Sequence, residues 1–518
     1  MENQNNDSAR LRELCRQRLS PRRLILASNR GPIEYHFGDN RRLQARRGSG
    51  GVVTALSSLS KYVELTWIAS AMGEGDRQVV KRVPQGRIRV PLASENLYLH
   101  FIVSPRNMYH KFYSVICNPL LWFLQHYMWN TPRAPNIDRV VYDAWENGYI
   151  PVNRAFAEAV VNEASEDRPS PIIMLNDYHL YLAASHIRQQ RPDLIIQHFT
   201  HIPWPSPSYW QLLPDCMRQP IIRSLCACDI VGLQTARDVH NFLYCCQSFI
   251  SDAEIDYREQ TVRINEHSAQ VKAYPVSVDV SGLQKLVSSQ AVLEYEAKLR
   301  PLYGEQTIVR VDRAEPSKNI VRGFRAFDTL LDRYPQFRGK LKFIAFLVPT
   351  RTHLRQYQRY IEEVNQLIEA INRKYGTEEW QPIHFFYENN YLQAIAGMRL
   401  YDVLIVNAVI DGMNLVAKEG PTVNDRDGVL ILSETVGAHE QLGEYSLTVS
   451  PADVEATTQA LYTALTMPAD ERHRRATMLK RAIEREDATH WLWKLLDDTA
   501  SLVQLQPESS TPESVPRH

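Results

Sequence analysis

Short apolar segments of strand length recur along most of the chain, and segments with helical periodicity lie between them. Because apolar residues follow one another directly in most of these segments, rather than occupying every second position, we expect strands that are covered on both faces. The helical segment KNIVRGFRAFDTLLDRY, for example, places its apolar residues on one stripe. This alternation predicts an α/β protein with two doubly wound units. The strand-length segments are RRLILASNR, LTWIASA, PIIMLND, LIIQHFTHI, CDIVGLQT, QTIVRVDR, LKFIAFLV, DVLIVNAV and GVLILSE.

The two predicted units meet near residues 280–300, where the alternation of strands and helices is weakest. Ligands of open α/β sheets bind beyond the carboxyl ends of the strands, so we expect a binding cleft where the two units face each other. Both ends of the chain are polar, and the tail is rich in Pro, Ser and Glu, which is typical of disorder. The predicted divisions are a flexible segment at 1–20, Rossmann-like domains at 21–285 and 286–490, a helix at 491–505 that packs back on the first domain, and a disordered tail at 506–518.

The charges of the chain balance, because it has 59 Lys and Arg residues and 59 Asp and Glu residues. A chain without net charge has no overall field that would attract nucleic acid or an acidic membrane, so neither is expected as a partner. The amino-terminal MENQNNDSARLRELCRQRLS lacks the apolar core of a signal peptide, and no apolar run is long enough to span a membrane. We therefore expect a cytoplasmic protein, and the sequence leaves a homo-oligomer open.

The seven cysteines are an odd set without a Cys-x-x-Cys pair, which argues against a framework of disulfides. Four of them lie between Cys226 and Cys246, with His240 nearby. Their spacing is not that of a zinc site, so buried thiols are favoured over a metal centre. We expect no metal.

Basic residues follow several of the predicted strands. Arg313 and Lys318 bracket the turn after TIVRVDR, whereas Arg351 follows LKFIAFLVPT. Arg30 follows LILASN. Any one of them alone is equally well explained as a solvated basic residue beside a helix, but cations at successive strand ends favour a site for a phosphate group. The glycines of GSGGVVTAL, which include Gly51, would let backbone N–H groups approach the same ligand.

Acidic residues and histidines occupy the same kind of position. Asp177, Tyr178 and His179 follow the strand IIMLN. His201 follows the next strand, where the Pro-x-Pro of HIPWP makes a stiff loop. A single histidine there is more often structural, but a histidine near a strand-end Asp favours function. Because GxSxG, GxxxxGK[ST], HExxH and a complete GxGxxG are absent, an anionic, nucleotide-linked ligand between the two domains is the preferred interpretation.

Two acids, Asp411 and Glu419, lie within the segment VIDGMNLVAKEG. This segment and the shorter SNR, NDYHL, HIPWP, GLQT, RxxxxK and VPTR motifs, with a Gly-Gly pair before a helix, occur in the order typical of the trehalose-6-phosphate synthase family. The resemblance extends from about Leu24 to Trp491. Members of this family are retaining glycosyltransferases (family 20) of the GT-B fold, in which two Rossmann-like domains face each other across a cleft.

The resemblance implies roles for individual residues. Arg313 and Lys318 would hold the diphosphate of a nucleotide-sugar. Asp411 would accept hydrogen bonds from the glucose hydroxyls, and Glu419 would bind the ribose. The family is taken to use the leaving phosphate to draw the acceptor proton, so no metal or cofactor is implied beyond the nucleoside diphosphate glucose. The implied donor contacts are Gly51, His201, Arg313, Lys318, Asp411, Gly412, Met413, Asn414, Leu415 and Glu419; the acceptor contacts are Arg30, Tyr109, Asp177 and Arg351; and the catalytic residues are Asp177, His201, Arg313, Lys318 and Asp411.

Several segments depart from the family pattern. The usual GWSG-like segment reads TWIASAM, and a further acceptor-side tryptophan is replaced near Asn118, with Trp122 close by. The usual HDYHL reads NDYHL, with Asn176, and the usual ERLDYSKG reads DRAEPSKN. The donor contacts are thus retained while the acceptor side varies, so the sequence specifies the nucleotide-sugar better than the acceptor.

HIPWPSPSYWQLLP and LSETVGAHEQLGEY are also similar to pseudo-glycosyltransferases, which join a nucleotide-linked cyclitol to an aminocyclitol phosphate. The complete MNLVAKE favours a true glucosyltransferase, which moves glucose from a UDP-, GDP- or ADP-glucose to glucose 6-phosphate and forms α,α-trehalose 6-phosphate. Transfer to glycerol 3-phosphate or an aminocyclitol phosphate, and a non-catalytic sugar-phosphate sensor, stay open as alternatives. The presence of Arg313, Lys318 and Glu419 argues against a sensor.

Overall fold

The computed structural model describes residues 9–38, 42–48, 51–83, 86–90, 96–165, 167, 169–352 and 354–505. Within them, the strands form a ten-stranded sheet, a six-stranded sheet and one hairpin. The strands are β1 (Leu24–Ser28), β2 (Ile33–Phe37), β3 (Leu43–Arg47), β4 (Leu65–Ser70), β5 (Arg87–Arg89), β6 (Leu97–Ile102), β7 (Ile172–Asn176), β8 (Ile195–Phe199), β9 (Ile230–Leu233), β10 (Ala253–Asp256), β11 (Thr261–Ile264), β12 (His267–Ala273), β13 (Gln306–Arg313), β14 (Leu341–Val348), β15 (Ile383–Tyr387), β16 (Val403–Val406), β17 (Val429–Ser433) and β18 (Leu447–Val449).

The first half of the chain forms the ten-stranded sheet, in the order β10-β11-β12-β9-β8-β7-β1-β4-β6-β5. Its centre is parallel, and Leu24 of β1 lies beside Leu65 of β4 and Ile172 of β7. Every residue of β7 and β8 is buried, as expected for strands covered on both faces. The second half forms the six-stranded parallel sheet, in the order β15-β14-β13-β16-β17-β18. The predicted α/β class with two doubly wound units is confirmed.

Helices fill the connections between the parallel strands. They are α1 (residues 9–14), α2 (Gly51–Ser58), α3 (Glu74–Arg82), α4 (Arg106–His110), α5 (Phe123–Gln125), α6 (Arg139–Ala144), α7 (Ile150–Glu163), α8 (Ala183–Gln190), α9 (Pro207–Trp210), α10 (Asp215–Cys226), α11 (Ala236–Phe249), α12 (Val280–Val287), α13 (Gln290–Leu299), α14 (Ile320–Arg333), α15 (Arg355–Tyr375), α16 (Tyr391–Arg399), α17 (Val416–Val423), α18 (His439–Leu442), α19 (Val454–Thr466), α20 (Ala469–Arg485) and α21 (Ala488–Leu505), with π-helical segments at Cys15–Leu19, Lys111–Trp122 and Trp145–Tyr149. The predicted apolar stripe of α14 is buried, and its Phe324 and Phe327 rings pack 4.9 and 5.2 Å from the ring of Phe343 in β14.

The amino-terminal segment differs from the flexible segment expected at residues 1–20. Residues 9–14 are helical and continue as the π-helix Cys15–Leu19. Arg18 also forms an ion pair with Asp497 of α21. Although the segment is mostly polar, it has a few apolar residues at helical spacing, and these bury one face of the helix. They are Leu11, Leu14, Cys15 and Leu19. Residues 1–8, and the tail predicted as disordered at 506–518, lie outside the described residues.

Residues 274–305 connect the two sheets and include α12 and α13. The boundary predicted at residue 285 falls inside α12, and this helix packs against α17 of the second half. The last helix, α21, returns to the first half, where the Trp491 ring lies 5.6 Å from that of Phe199. There, the Tyr274 hydroxyl also donates a hydrogen bond to Asp498 (2.8 Å). The exact division of the chain into domains stays a prediction.

Every cysteine except Cys216 is buried. The Sγ atoms of Cys226 and Cys246 lie 3.7 Å apart, between α10 and α11. Across the described ranges, no group of three or more His, Cys, Asp and Glu side chains could hold a metal ion. In that same part of the chain, no helix has both the length and the apolar character needed to cross a membrane.

Candidate active site

A cavity of about 880 Å³ lies between the carboxyl ends of the two sheets. Residues that follow β1, β7 and β8 form one wall, and residues that follow β13, β14 and β16 form the other. This is where facing α/β sheets are expected to bind their ligands. The predicted site residues that line this cleft are Arg30, Asp177, His201, Arg313, Lys318, Arg351, Asp411, Met413, Asn414 and Leu415.

Two further predicted residues, Gly51 and Tyr109, do not line the cleft but are connected to residues that do. Gly51 begins α2, and Leu56 of the same helix lines the cleft. The hydroxyl of Tyr109 donates a hydrogen bond to Asn29 Oδ1 (3.1 Å), and Asn29 lines the cleft beside Arg30. Tyr109 therefore supports the wall through Asn29.

Asp411 lies where the loop after β16 meets the loop after β17. Lys318 Nζ donates a hydrogen bond to Asp411 Oδ2, and Asn414 Nδ2 donates to the same oxygen (3.0 Å). Burial alone would raise the pKa of Asp411, but the Lys318 ammonium holds it below its ordinary value. Asp411 is therefore an ionised hydrogen-bond acceptor at neutral pH, with Lys318 as its counter-ion.

Gly412 brings the two halves of the chain into direct backbone contact. A Cβ atom at this position would lie 2.3 Å from the carbonyl oxygen of His201. Any larger residue would therefore push the DGMN loop away from the loop after β8. This close approach places His201 beside the Asp411 loop, although the two belong to different sheets.

Glu419 lies in α17, outside the set of residues that line the cleft. The hydroxyl of Tyr391 donates a hydrogen bond to Glu419 Oε1 (3.0 Å). Burial raises the pKa of Glu419, and the Tyr391 hydroxyl counteracts this effect. Asp411 and Glu419 thus have separate partners, Lys318 and Tyr391, and do not form an acid–base pair.

The turn from β13 to α14 is held from behind by a buried arginine. Arg310 is fully buried and donates a hydrogen bond to the carbonyl of Lys318 (3.0 Å) and to Asn407 Oδ1 (3.0 Å). Its Nε donates to Asp312 Oδ2 (2.9 Å). Gly323 leaves room for this side chain, because a Cβ there would lie 2.4 Å from Arg310 Nη1. The position of Lys318 therefore depends on residues that do not line the cleft.

Arg351 lies in a cage of groups from both halves. Its Nε donates to Asn118 Oδ1 (3.1 Å), and its Nη1 donates to Glu315 Oε2 (3.0 Å) and to the Tyr357 hydroxyl (2.9 Å). The guanidinium carbon lies 4.3 Å from the centre of the Trp122 ring. Asn118, which replaces a tryptophan usual in the resembling family, is thus in direct contact with the predicted acceptor cation.

Asp177 and His201 are neighbours after β7 and β8. The His201 backbone N–H donates to Asp177 Oδ1 (3.3 Å), and His201 Nε2 lies 3.3 Å from Asn176 Oδ1. Burial raises the pKa of Asp177 to about 7 and lowers the pKa of His201 to about 4. Among the described residues, Nδ1 of His201 is buried without a hydrogen-bond partner. If Nε2 donates to Asn176 Oδ1, Nδ1 of the neutral ring is left as a hydrogen-bond acceptor.

Some residues of the site were not predicted from the sequence. Arg310 and Glu315 are buried behind the cleft. The sequence did contain an indication of them, because charged residues interrupt the strand QTIVRVDR and the turn after it. Such residues in a covered strand indicate a buried ion pair. Others belong to recognised motifs or to neighbouring segments, but received no role: Asn29, Trp67, Tyr113, His179 and Gln234.

The charges that line the cleft suit an anionic ligand. Arg30, Arg313, Lys318 and Arg351 are cationic, whereas only Asp177 and Asp411 among the lining residues carry carboxylates. The lining histidines, His179 and His201, are neutral at pH 7, because burial lowers the pKa of His179 to about 3 and that of His201 to about 4. An excess of fixed cations in an enclosed cleft favours phosphate groups.

Two doubly wound domains facing each other across such a cleft define the GT-B fold, which is typical of glycosyltransferases, enzymes that transfer a sugar from an activated donor. The family model described as glycosyltransferase family 20 matches residues 22–501. The chain therefore belongs to glycosyltransferase family 20, as the motif order predicted.

Relatives with assigned names agree with this membership. The UDP-forming α,α-trehalose-phosphate synthase of Schizosaccharomyces pombe is 31% identical over 477 residues, which cover 91% of this chain and 89% of that protein. The corresponding synthase A of Dictyostelium discoideum is 28% identical over 90% of this chain, which spans only 61% of that longer protein. The validamine 7-phosphate valienyltransferase of Streptomyces hygroscopicus is also 28% identical, over 92% of this chain and 94% of that protein.

Solved structures show the same architecture. A UDP-forming α,α-trehalose-phosphate synthase from Burkholderia xenovorans, in complex with glucose-6-phosphate, has a TM-score of 0.77 and is 26% identical, covering 92% of this chain and 99% of that one. A trehalose-6-phosphate structure from E. coli, bound with UDP-2-fluoro glucose, has a TM-score of 0.78 at 26% identity, with coverage of 92% and 99%. The GT-B fold is thus confirmed over nearly the whole chain.

Proposed function

We propose that this chain is a retaining glucosyltransferase that moves glucose from UDP-glucose to glucose 6-phosphate and forms α,α-trehalose 6-phosphate. The observation that carries the proposal is the cluster of Lys318, Asp411 and Asn414, beside Arg313, in a cleft between two GT-B domains. The names of the similar proteins support the same reaction, because several are UDP-forming trehalose-phosphate synthases.

The second domain binds the sugar donor and stabilises its leaving group. Departure of the nucleoside diphosphate builds negative charge on the leaving phosphate, and Arg313 and Lys318 stabilise that charge. Asp411, kept ionised by Lys318, accepts hydrogen bonds from the glucose hydroxyls and fixes the ring. Glu419 binds the ribose, while backbone N–H groups of Gly412 to Leu415 approach the sugar and phosphate.

The first domain provides most of the residues that bind the acceptor. Arg30, Tyr109 and Arg351 hold the acceptor phosphate, and Asp177 accepts a hydrogen bond from an acceptor hydroxyl. The neutral His201 contacts the donor sugar without adding a cation near the bond that breaks. The departing phosphate oxygen takes the acceptor proton on the same face, which accounts for retention without a carboxylate nucleophile. This route uses no metal or cofactor.

A second candidate acceptor is an aminocyclitol phosphate. Asn118 is buried, and its Oδ1 accepts hydrogen bonds from Arg351 Nε (3.1 Å) and from the Tyr178 hydroxyl (3.3 Å). A tryptophan, which is usual at this position in the resembling family, has no acceptor for either bond. The acceptor wall therefore differs from that family, and one relative is named for an aminocyclitol phosphate.

The remaining predictions belong to the same proposal. A cytoplasmic location and small-molecule substrates without nucleic acid or membrane partners are inferred from the composition of the chain and from its family, and a homo-oligomer stays open. Each can be examined separately from the reaction.

A panel of substrates tests the reaction directly. UDP-, GDP- and ADP-glucose are each combined with glucose 6-phosphate, glycerol 3-phosphate and an aminocyclitol phosphate, and the product mass and anomeric configuration are measured. We expect α,α-trehalose 6-phosphate from UDP-glucose and glucose 6-phosphate. Turnover with another acceptor alone would replace the proposed product, and binding without turnover for every pair would favour a sensor.

A further inference from the structure

Glu315 is a buried carboxylate between two arginines of the cleft. Its Oε1 lies 2.9 Å from Nη2 of Arg313, and its Oε2 lies 3.0 Å from Nη1 of Arg351. The Glu315 side chain is 0% exposed, whereas the side chains of Arg313 and Arg351 are 43% and 10% exposed. The carboxylate therefore lies behind both guanidinium groups and cannot itself contact a ligand.

The three side chains come from the carboxyl ends of two neighbouring strands. β13 ends at Arg313, which is in register with Val348 at the end of β14, and Arg351 follows in the loop after β14. This register brings two cations to one edge of the sheet, where they would repel each other. Glu315, in the turn after β13, is placed between them, and Ser317 Oγ donates a hydrogen bond to its Oε1 (3.3 Å).

The guanidinium of Arg351 is held in its plane by Glu315 together with its other contacts. Asn118 and Tyr357 accept hydrogen bonds from Nε and Nη1, and the Trp122 ring stacks against the group. Within the described ranges, Nη2 of Arg351 donates to no protein acceptor. Nη2 is therefore available to an anion in the cleft. The bonds on Nε and Nη1 determine the direction in which the N–H groups of Nη2 point.

We propose that Glu315 is a positioning residue that sets the guanidinium groups of Arg313 and Arg351 in one geometry and so supports the binding of both substrates. The inference rests on the proposed function, which assigns the donor diphosphate to Arg313 and the acceptor phosphate to Arg351. Charge-assisted pairs are strong and directional in a poorly hydrated interior. Without the carboxylate charge, two uncompensated cations would face each other there.

A buried carboxylate can also serve stability alone, and Glu163 provides that comparison within the same chain. Its carboxylate contacts Arg23, Arg87 and His100 in the first half. None of these residues belongs to the cleft lining. Glu163→Gln is therefore a matched control, because it removes a similar buried charge without touching either substrate cation.

The first experiment measures the binding of UDP and of inorganic phosphate by calorimetry. We expect Glu315→Gln to weaken both by about tenfold or more, because each arginine loses the partner that orients it. Glu163→Gln should lower the thermal midpoint but bind both anions as the wild type does. Unchanged or tighter binding by Glu315→Gln, or a loss for only one anion, would overturn the inference.

Arg351→Ala provides a test that leaves Glu315 in place. The Glu315 carboxylate then pairs with Arg313 alone, and the geometry of the Arg313 guanidinium is no longer set by both ion pairs. UDP binding should therefore weaken by about threefold, even though Arg351 is assigned to the acceptor. Unchanged UDP binding in this variant would contradict the shared role of Glu315. The result does not depend on whether Glu315→Gln folds.

Double variants separate positioning from a general loss of structure. If Glu315 acts through both arginines, adding Glu315→Gln to Arg351→Ala should weaken phosphate binding no further. Adding it to Arg313→Ala should likewise weaken UDP binding no further. Fully additive losses would overturn the inference. Failure of the proposed function has a different signature: no substrate pair gives product, while the effects of Glu315 on UDP and phosphate binding remain measurable.

Discussion

Asp177 and His201 lie together at the carboxyl ends of β7 and β8, and burial changes the charge state of both. Burial raises the pKa of Asp177 to about 7, although the backbone N–H groups of Tyr178 and His201 stabilise its ionised form. Burial lowers the pKa of His201 to about 4. A partly ionised carboxylate beside a neutral imidazole gives this wall a charge that changes near neutral pH.

For Asp177 we predict a pH dependence of acceptor use. If its ionised form accepts a hydrogen bond from an acceptor hydroxyl, kcat/KM for the acceptor rises with pH as the carboxyl loses its proton near its pKa of about 7. Asp177→Asn should lose this rise and fall by about 100-fold in kcat/KM. Initial rates across neutral pH measure both effects. The exposed Asp215→Asn is the control, and a wild-type pH dependence in Asp177→Asn would contradict the role.

For Lys318 we predict a loss of transition-state stabilisation. Lys318→Ala should lower kcat by about 100- to 1000-fold, because the leaving phosphate loses a fixed cation. It also leaves Asp411 without its counter-ion, so the thermal midpoint should fall. Lys374→Ala, which removes an exposed lysine paired with Asp328, is the control. Undiminished turnover by Lys318→Ala would reject the assignment to the diphosphate.

At the scale of one element, the turn between β13 and α14 depends on Asn319. Its backbone is left-handed, with φ of 58°. Its Nδ2 donates hydrogen bonds to the carbonyls of Asn407 (2.8 Å) and Pro451 (2.7 Å), which belong to the ends of other strands. The family pattern usually has a glycine here. In this chain, Asn319 combines the required conformation with two bonds that tie the turn to the sheet.

Substitutions of Asn319 should separate these two contributions. Asn319→Ala loses the side-chain hydrogen bonds to Asn407, Pro451 and Arg322. It also lacks the short polar side chain that makes the left-handed backbone tolerable, so it should destabilise the protein by about 2–4 kcal/mol. Asn319→Gly loses the bonds but tolerates the conformation, and should remain about 1 kcal/mol more stable than the Ala variant. Urea unfolding of the two variants gives the difference. Equal stability would mean that the left-handed backbone is not maintained in solution.

At the scale of the whole molecule, the two halves share a buried hydrogen-bonded link at Val276. Its N–H donates to Gln234 Oε1 (3.0 Å), and its carbonyl accepts a hydrogen bond from Lys418 Nζ (2.9 Å). Gln234 also donates to the carbonyl of His201 (3.2 Å). Lys418 is fully buried in α17, and burial lowers its pKa to about 7. The connection between the sheets therefore includes an amine that titrates near neutral pH.

This amine should make stability depend on pH. Between about pH 7 and 10.5 the unfolded chain keeps the Lys418 proton and the folded chain does not, so this group makes the free energy of unfolding rise with pH, by at most about 1.4 kcal/mol per pH unit. Lys418→Met removes the effect. The stability of the variant relative to wild type should therefore fall as pH rises from about 7 to 9. Urea unfolding across this range tests it, and a constant difference would show that the amine is not buried in solution.

Much of the fold followed from local patterns. The consecutive apolar residues within β7, β8 and β14 predicted covered strands, and the stripe with Phe324 and Phe327 predicted α14. The helix at residues 9–14 was missed, because its few apolar residues are surrounded by charges and become buried only in a core built from distant segments of the chain. The order of strands in each sheet was not predictable either, since it depends on pairings between distant segments.

The sequence by itself determined the class of fold, the family, and which residues lie at strand ends, because periodicity and short motifs record these properties locally. Only the tertiary structure decided which charges pair and which groups are ionised. Lys318 and Asp411 are 93 residues apart in sequence, and Glu315 and Arg351 are 36 apart. The energy of an ion pair and the pKa of a buried group depend on distance in space and on access to water, and both exist only once the chain has folded.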